Sequence, residues 1–451
     1  MSVTGFDPSG PLQGALRPPP DKSISHRAAM LAAMADGESR LTGYLEAADT
    51  RSTLAAVRTL GSVVDVTESG TPGALDVRIQ GIGLDGPGER SGQEAVGIDV
   101  GNAGTLLRLL PGWLAGQGDG SWKLDGDESI RRRPVDRVVA PLREMGASVE
   151  CREGRLPPLE VRGAPLRGIS YRLPVASAQV KSCVLLAGLN AEGDTEVIEP
   201  APTRDHTERM LAAAGARIES ETTGHGLTVR GELPARRIVL QPAERLRPCG
   251  FDVPGDFSSA AFFLVAALLV PGSRIRLEGV GLNPTRVGLL GIVNRMGAAI
   301  EVEEGIPVGG EPRGVLDARH STLRGTRVAA GEVPLAIDEL PLVALAACFA
   351  EGETVVSGAG ELRHKESDRI AAVVDSLRAL GAEAEALDDG FAVQGAGGLR
   401  GGRIDSQGDH RLAMLGAIAG LASRDGVEVS GMDAAAVSYP GFERDLRVLL
   451  A

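Results

Sequence analysis

Residues 256–280 read DFSSAAFFLVAALLVPGSRIRLEGV, and residues 283–302 read NPTRVGLLGIVNRMGAAIEV. The first stretch is a polar helix start, an Ala/Leu-rich helix, a Gly, and a short strand leading to another Gly. The second is a charged helix start, a helix ending in Gly-Ala, and a strand that alternates apolar and polar residues. Working outward, the first pattern recurs six times, starting near residues 23, 102, 177, 256, 340 and 409. The second follows it at DTRSTLAAVRTLGSVVDV (49–66), RRPVDRVVAPLREMGASVE (132–150), TRDHTERMLAAAGARIE (203–219), NPTRVGLLGIVNRMGAAIEV and KESDRIAAVVDSLRALGAEAEAL (365–387). A sixth copy, SYPGFERDLRVLL (438–450), closes the chain. Gly61, Gly146, Gly215, Gly297 and Gly381 each stand where a helix needs a left-handed residue to stop. The pattern predicts an α/β protein of six units, three per domain. RPCGFDVPGD (247–256), dense in Pro and Gly, marks the break between them.

Length supports that division, because 451 residues exceed one ordinary core. The net charge of −13 argues against a general nucleic-acid or membrane surface, so positive charge that meets an anion must be local. Cys151, Cys183, Cys249 and Cys348 are scattered without a C-x-x-C pair, which predicts thiols in a reducing compartment and neither disulfides nor a zinc site. The start MSVTGFDPSG has no basic, then apolar, signal pattern. The longest apolar run, Ala260 to Val270, is too short for a bilayer. A cytoplasmic, soluble chain is the expectation.

The helix starts carry the chemistry. The chain has four lysines against 43 arginines, and Lys22, Lys181 and Lys365 fall in or beside polar helix starts. An ammonium is a compact point charge that the planar Arg fork does not reproduce. Asp49, Asp256 and Thr285 read as ordinary N-caps. Basic residues at a helix start oppose the helix dipole; Lys22, Arg131 to Arg133, Arg204 and Lys365 become favourable there if an anion lies between them. Asp338 (AIDELP) and Glu366 (RHKESDR) add two carboxylates among cations, a pattern suited to acid–base work. For Glu366 an i, i+3 ion pair with Arg369 on an exposed face is an equal alternative. His410 reads as a hydrogen-bonded structural residue and not a metal ligand. GIGLDG (81–86) fits G-x-G-x-x-G, but PGERSG follows where a helix must begin, so it reads as a loop.

Taken together, DKSISHRA, GNAGTLLRLLPG, GDESIRRRPVDRVVAPLREMGA, VASAQVKSCVLLAGL, TRDHTERML, NPTRVGLL, IDELPLVALAA, LRHKESDR and GDHRLAM resemble the EPSP synthase family across essentially the whole chain, most closely its class II branch. The resemblance implies an inverse α/β barrel-like fold of six βαβαββ units. It implies a first domain over residues 21–250 on the shikimate 3-phosphate side. The second, on the phosphoenolpyruvate side, takes residues 1–20 and 251–451, with the site in the cleft between them.

It implies transfer of an enolpyruvyl group from phosphoenolpyruvate to the 5-hydroxyl of shikimate 3-phosphate with release of phosphate. The route is addition and elimination, without metal or organic cofactor, in chorismate and aromatic amino acid biosynthesis. Ser177, Ala178 through its backbone, and Arg204 would hold the 3-phosphate, with Thr203 as an extra contact. Lys22, Ser23, Arg27 and Asp338 would hold the shikimate hydroxyls and carboxylate, with Asp338 the base on the 5-hydroxyl, and Gln179 would lie between the substrates. Gly104, Thr105, Arg133, Arg369 and Arg411 would meet phosphoenolpyruvate, assisted by Lys22 and Lys365, and Lys365 also reaches the shikimate side. Glu366 would move a proton at the methylene carbon.

Ser129 stands where the class I branch has an Arg, which leaves Arg132 as well as Arg133 open for phosphoenolpyruvate. Val437 and Ser438 replace a class I lysine. Gly104 leans towards inhibition by glyphosate. A monomer is the family expectation, with no nucleic acid or membrane partner. The competing readings are a UDP-N-acetylglucosamine enolpyruvyl transferase, whose reactive Cys is absent from DGDESIRRRPVDR, and a non-catalytic anion-binding repeat protein.

Overall fold

The computed structural model describes residues 2–86, 94–223 and 235–450. The six copies of the first pattern form the helices Lys22–Met34, Gly104–Ala115, Ala178–Gly188, Phe257–Leu269, Leu340–Phe349 and His410–Ala422. These are the inner helices, and Phe257–Leu269 is buried along its whole length. The copies of the second pattern form amphipathic outer helices, among them Asp136–Glu144, His206–Ala213 and Arg369–Ala379. The five helix-ending glycines all adopt φ between 91° and 111°, the region closed to most side chains.

Each complete unit builds one four-stranded sheet. In the second unit, Val96–Asp99 pairs parallel with Ser121–Asp125, which pairs antiparallel with Leu156–Arg162, and Ser148–Arg152 lies at the edge. The third and fifth units repeat this order. The first and fourth units borrow a strand from a distance: Gly250–Asp252 pairs with Glu38–Leu45, and Gln13–Leu16 pairs with Arg274–Gly281. Val3–Phe6 completes the last unit against Val427–Ser430.

Buried apolar side chains fall into two clusters. One runs from Ile24 to Val253; the other joins Phe6, Leu12 and Leu16 to residues between Phe257 and Leu449. Inner helices pack closely within the first cluster. A Cβ on Gly112 would stand 2.2 Å from the Cys183 carbonyl oxygen, so only glycine permits that approach. The chain crosses between clusters twice, and the two crossings hydrogen-bond to each other: Asp21 N to Pro254 O at 2.8 Å, and Asp256 N to Pro19 O at 2.7 Å. Asp21 and Asp256 then cap the inner helices that begin at once, accepting from Ile24 N and Ser258 N.

Several helix starts differ from the expected ones. Arg131–Arg133 precede their helix: Ile130–Arg132 is a 3-10 turn and the α-helix begins at Asp136, because Pro134 holds Arg133 extended. Lys365 is extended as well, and Asp368 caps the helix that starts at Arg369. Asp49 lies inside the helix Ala48–Thr59 and not at its cap; Thr50 takes the capping bond from Ala47 N. Thr285 also does not cap, since its helix begins at Gly288.

Residues 81–86 form neither helix nor strand, while PGERSG lies outside the described residues. All four cysteines are free thiols. No helix among the described residues is long and apolar enough to cross a membrane.

Candidate active site

The starts of all six inner helices converge on one cavity of about 420 Å³. Lys22 and Ser23, Gly104 and Thr105, Gln179, Ser258 and Ser259, Asp338, and His410 and Arg411 line it, one group at or just before the start of each helix. Six helix N-termini aimed at one space supply unpaired N–H donors and partial positive charge. Side chains add to this: the lining holds eight Lys or Arg against Asp49, Asp256, Asp338 and Glu366, a surplus of four positive charges. The chain as a whole carries −13. The positive charge is therefore local, as a site for polyanions requires.

Asp338 is the centre of the cation cluster. Its Oδ1 lies 3.3 Å from Lys365 Nζ and 3.6 Å from Arg369 Nη1. Its Oδ2 lies 3.2 Å from Arg286, 3.5 Å from Arg204 and 3.8 Å from Arg411. Burial alone would raise the Asp338 pKa, but Lys365, Arg411, Arg204 and Arg286 outweigh it and hold the carboxyl well below the usual range. For Lys365, burial dominates and lowers the ammonium pKa, with Arg369 and Arg204 acting in the same direction against Asp338.

Arg369 is buried and held by Asp409, 2.8 Å from Nε, and by Glu366, 2.6 Å from Nη2. The i, i+3 pair expected for Glu366 is thus present, but it faces the cavity. Glu366 also lies 3.9 Å from Arg133. Desolvation at the cavity works against its charge, yet Arg369, His410, Arg133 and Lys365 draw its pKa far down. His410 lines the cavity as a neutral ring, its pKa lowered to about 3 by burial, Arg411 and Lys22.

The remaining phosphoenolpyruvate candidates line the same cavity. Arg133 enters the cavity with Nη2 donating to Asn102 Oδ1 at 2.9 Å and Ser129 Oγ at 3.2 Å. Arg132 instead lies exposed beside Glu128, so Arg133 is the arginine present at the cavity. Gln179 accepts from Arg108 at 3.1 Å and donates to Thr105 at 3.3 Å. Lys22 Nζ rests 3.2 Å from Asp49.

A second cavity of about 930 Å³ adjoins the first and shares Arg108, Gln179, Arg204, His364 and Lys365 with it. Ser177, Ala178, Thr203 and Arg204 line this part. Ser177 caps the helix Ala178–Gly188, accepting from Val180 N. Thr203 donates its hydroxyl to Glu199, and its carbonyl faces Lys181 Nζ at 3.5 Å. Lys181 is fully buried, 3.0 Å from Glu199 and 2.7 Å from Glu208. Arg27 lines neither cavity. It is buried behind the wall, donating to Thr207 Oγ1, Ser182 Oγ and the Ser23 carbonyl.

Sequence reasoning missed Arg108, Arg286, Asn102, Ser258 and the site role of Asp49. Arg286 was visible beside Thr285 at an expected helix start, and Arg108 lies about one turn into its helix, where nothing local distinguishes it from surface charge.

The profile described as EPSP synthase (3-phosphoshikimate 1-carboxyvinyltransferase) matches residues 6–446. A 3-phosphoshikimate 1-carboxyvinyltransferase of Thermus thermophilus is 52% identical over the whole of both chains. That of Alkalilimnicola ehrlichii is 49% identical over 96% of this chain and 93% of its own. The solved EPSP synthase of Acinetobacter baumannii superposes with a TM-score of 0.84 at 40% identity, covering 99% of this chain and 98% of that one.

Proposed function

The chain belongs to the EPSP synthase family, and on that premise we infer that it transfers the enolpyruvyl group of phosphoenolpyruvate to the 5-hydroxyl of shikimate 3-phosphate, releasing phosphate. The observation that carries this reading is the Asp338 carboxylate among five cations, in a cavity where six helix N-termini meet. Each substrate brings a phosphate and a carboxylate, and the surplus positive charge offsets the cost of bringing them together in a confined space.

Ser177, Ala178 and Arg204 are assigned to the 3-phosphate, in the adjoining cavity they line. Thr203 contributes through its backbone placement, since its hydroxyl is committed to Glu199. Lys22, Ser23 and Asp338 are assigned to the shikimate ring and Arg27 to its support. Arg133, Arg369 and Arg411 are assigned to phosphoenolpyruvate beside Gly104 and Thr105. Lys22, Lys365 and Gln179 lie between the substrates. Guanidinium forks suit phosphate and carboxylate oxygens, while the ammonium of Lys22 can face both ligands.

The ion pairs explain how a strongly stabilised carboxylate acts as a base. Arg204, Arg369, Arg411 and Lys365 turn to the substrate anions when these bind. Asp338 then loses part of its compensation and becomes more basic. It takes the proton of the 5-hydroxyl as that oxygen bonds to C2 of phosphoenolpyruvate, and C3 gains a proton. Removal of a proton from C3 then breaks the C2–O bond to phosphate. Freed in the same way from Arg369 and Arg133, Glu366 takes up a solvent proton as the substrates bind, gives it to C3 in the addition and takes one back from C3 in the elimination, while Asp338 passes the hydroxyl proton to the departing phosphate.

Residues 21–250 form the shikimate 3-phosphate side, and residues 1–20 with 251–451 the phosphoenolpyruvate side. The two separate cores support this division. The segments 177–182 and 203–208 support a shikimate 3-phosphate acceptor over a sugar nucleotide, and Ser129, where the class I branch has an Arg, supports the class II branch. Glyphosate inhibits by occupying the phosphoenolpyruvate side, and the enzyme is a cytoplasmic monomer; its four free thiols suit a reducing compartment.

The test is phosphate release by purified protein given phosphoenolpyruvate with shikimate 3-phosphate, and in parallel with UDP-N-acetylglucosamine. Release with the first acceptor alone is expected. Release with the sugar nucleotide alone would overturn the reading.

A further inference from the structure

Arg286 is the cation at Asp338 that no substrate group claims. Its side chain is 8% exposed, and acids and a hydroxyl hold it on several sides. Nη1 lies 3.2 Å from Asp338 Oδ2 and 3.7 Å from Glu339. Nη2 donates to Ser258 Oγ at 2.6 Å and lies 3.6 Å from Asp256. Ser258 in turn donates to Glu339 and accepts from Arg411 at 3.2 Å. The segment that carries Arg286 is fixed as well. Asn283 donates to Asp205 at 2.7 Å and to Glu311 at 3.0 Å, and Thr285 Oγ1 accepts from Asp205 N at 3.2 Å. Asp205 directly follows Arg204, so the two guanidiniums nearest Asp338 Oδ2 belong to one cross-linked network.

We propose that Arg286 is a positioning residue for the transfer reaction: it stays on Asp338 while the substrates draw the other cations away, and keeps that carboxylate aimed at the acceptor hydroxyl. The inference rests on the reaction assigned above. The groups facing Asp338 are Lys365, Arg369, Arg204, Arg411 and Arg286; the acids Glu366, Asp409, Asp256 and Glu339 act on it through those arginines. Substrate anions compete for the first four cations. Arg286 has three carboxylates to hold it and no assigned substrate group to leave them for. Burial works against its charge, but Glu339, Asp256 and Asp338 outweigh it, so Arg286 remains a cation at every working pH.

The experiment measures kcat, both KM values and the pH dependence of kcat for wild type, Arg286→Lys, Arg286→Gln, Asp338→Asn and the double variant Arg286→Gln/Asp338→Asn. Arg286→Gln is expected to lower kcat on the order of 10²-fold, leave both KM values within about threefold, and move the acid limb of kcat to higher pH. Arg286→Lys should recover part of kcat and of the limb, since it restores charge without the fork. The double variant should be no slower than Asp338→Asn. A raised KM for either substrate at unchanged kcat would make Arg286 a ligand contact and overturn the proposal. So would a full extra loss on top of Asp338→Asn, wild-type kcat in folded variants, or loss of folding in both Arg286 variants. A wild-type protein that releases no phosphate would instead sink the assigned reaction itself.

Discussion

Lys22 and Asp49, each in the first turn of a neighbouring helix, meet at 3.2 Å on the cavity wall. Asp49 offsets the unfavourable placement of an ammonium at a helix N-terminus. The pair leaves Lys22 a quarter exposed, facing the space assigned to both substrates. Lys22→Met is therefore expected to reduce kcat/KM by about 10²-fold or more. Stability should change by no more than about 1 kcal/mol, because the dipole conflict disappears with the ion pair. Lys22→Arg should also be impaired, because a planar fork cannot replace the compact charge. Steady-state kinetics with urea melts checks all three; full activity in the Arg variant would return this lysine to chance.

Gly104 sits where a Cβ would meet Arg133 Nη1 at 2.9 Å and Arg108 Nη1 at 3.2 Å. Both atoms end flexible side chains, so Gly104→Ala should fold normally and displace the arginines instead. The expected result is a several-fold rise in KM for phosphoenolpyruvate with weaker glyphosate inhibition, while KM for shikimate 3-phosphate stays within about twofold. Equal changes in both KM values would place the effect elsewhere.

Lys181 is buried between Glu199 and Glu208 and faces the Thr203 carbonyl, which ties the loop bearing Arg204 to the helix that starts at Ala178. Removing its charge leaves two buried carboxylates without their cation. Lys181→Met should cost about 3–5 kcal/mol in urea unfolding. In the folded fraction it should raise KM for shikimate 3-phosphate more than that for phosphoenolpyruvate. Adding Glu199→Gln should restore part of the stability by removing one uncompensated acid. A loss spread equally over both substrates would show that the loop is positioned by other contacts.

The repeat was legible because its signals are local. A helix that ends on glycine needs φ above zero whatever surrounds it, and Gly61, Gly146, Gly215, Gly297 and Gly381 all adopt it. The helix starts followed from that repeat, and Lys22, Arg204 and Asp338 stood out there by charge and residue type, whereas the role of Arg411 came only from the family resemblance. What depends on distant packing was not legible. Arg286 acquires its meaning from Asp338, 52 residues away. Asp49 was indistinguishable from a cap until Thr50 took the capping bond and freed it for Lys22. Arg27 shares a helix with Lys22, yet its guanidinium is spent on Thr207 and Ser182 behind the wall, from helices that only the fold brings near. Pro134 announced that no helix could begin at Arg133, and that signal was present but unused.

His26 supplies a test in acid. It is fully buried, bonded through Nδ1 to Thr53 Oγ1 at 2.6 Å, with its pKa lowered to about 3 by burial, Lys22 and Arg27 against Asp49. Unfolded histidine titrates near 6.5. Between those values the unfolded chain binds a proton that the folded chain does not, so stability is full above the unfolded pKa and falls as pH falls, by up to about 1.4 kcal/mol per pH unit. His410, lowered to about 3, adds the same slope. Asp256, raised to about 6 by burial and by Asp21, opposes it, because there the folded chain takes up the proton first. Urea unfolding between pH 6 and 5 should therefore show a net loss of stability close to one proton's worth. In His26→Gln that slope should nearly vanish, as His410 and Asp256 then cancel. Equal slopes in the two proteins would mean that His26 is already protonated in the fold.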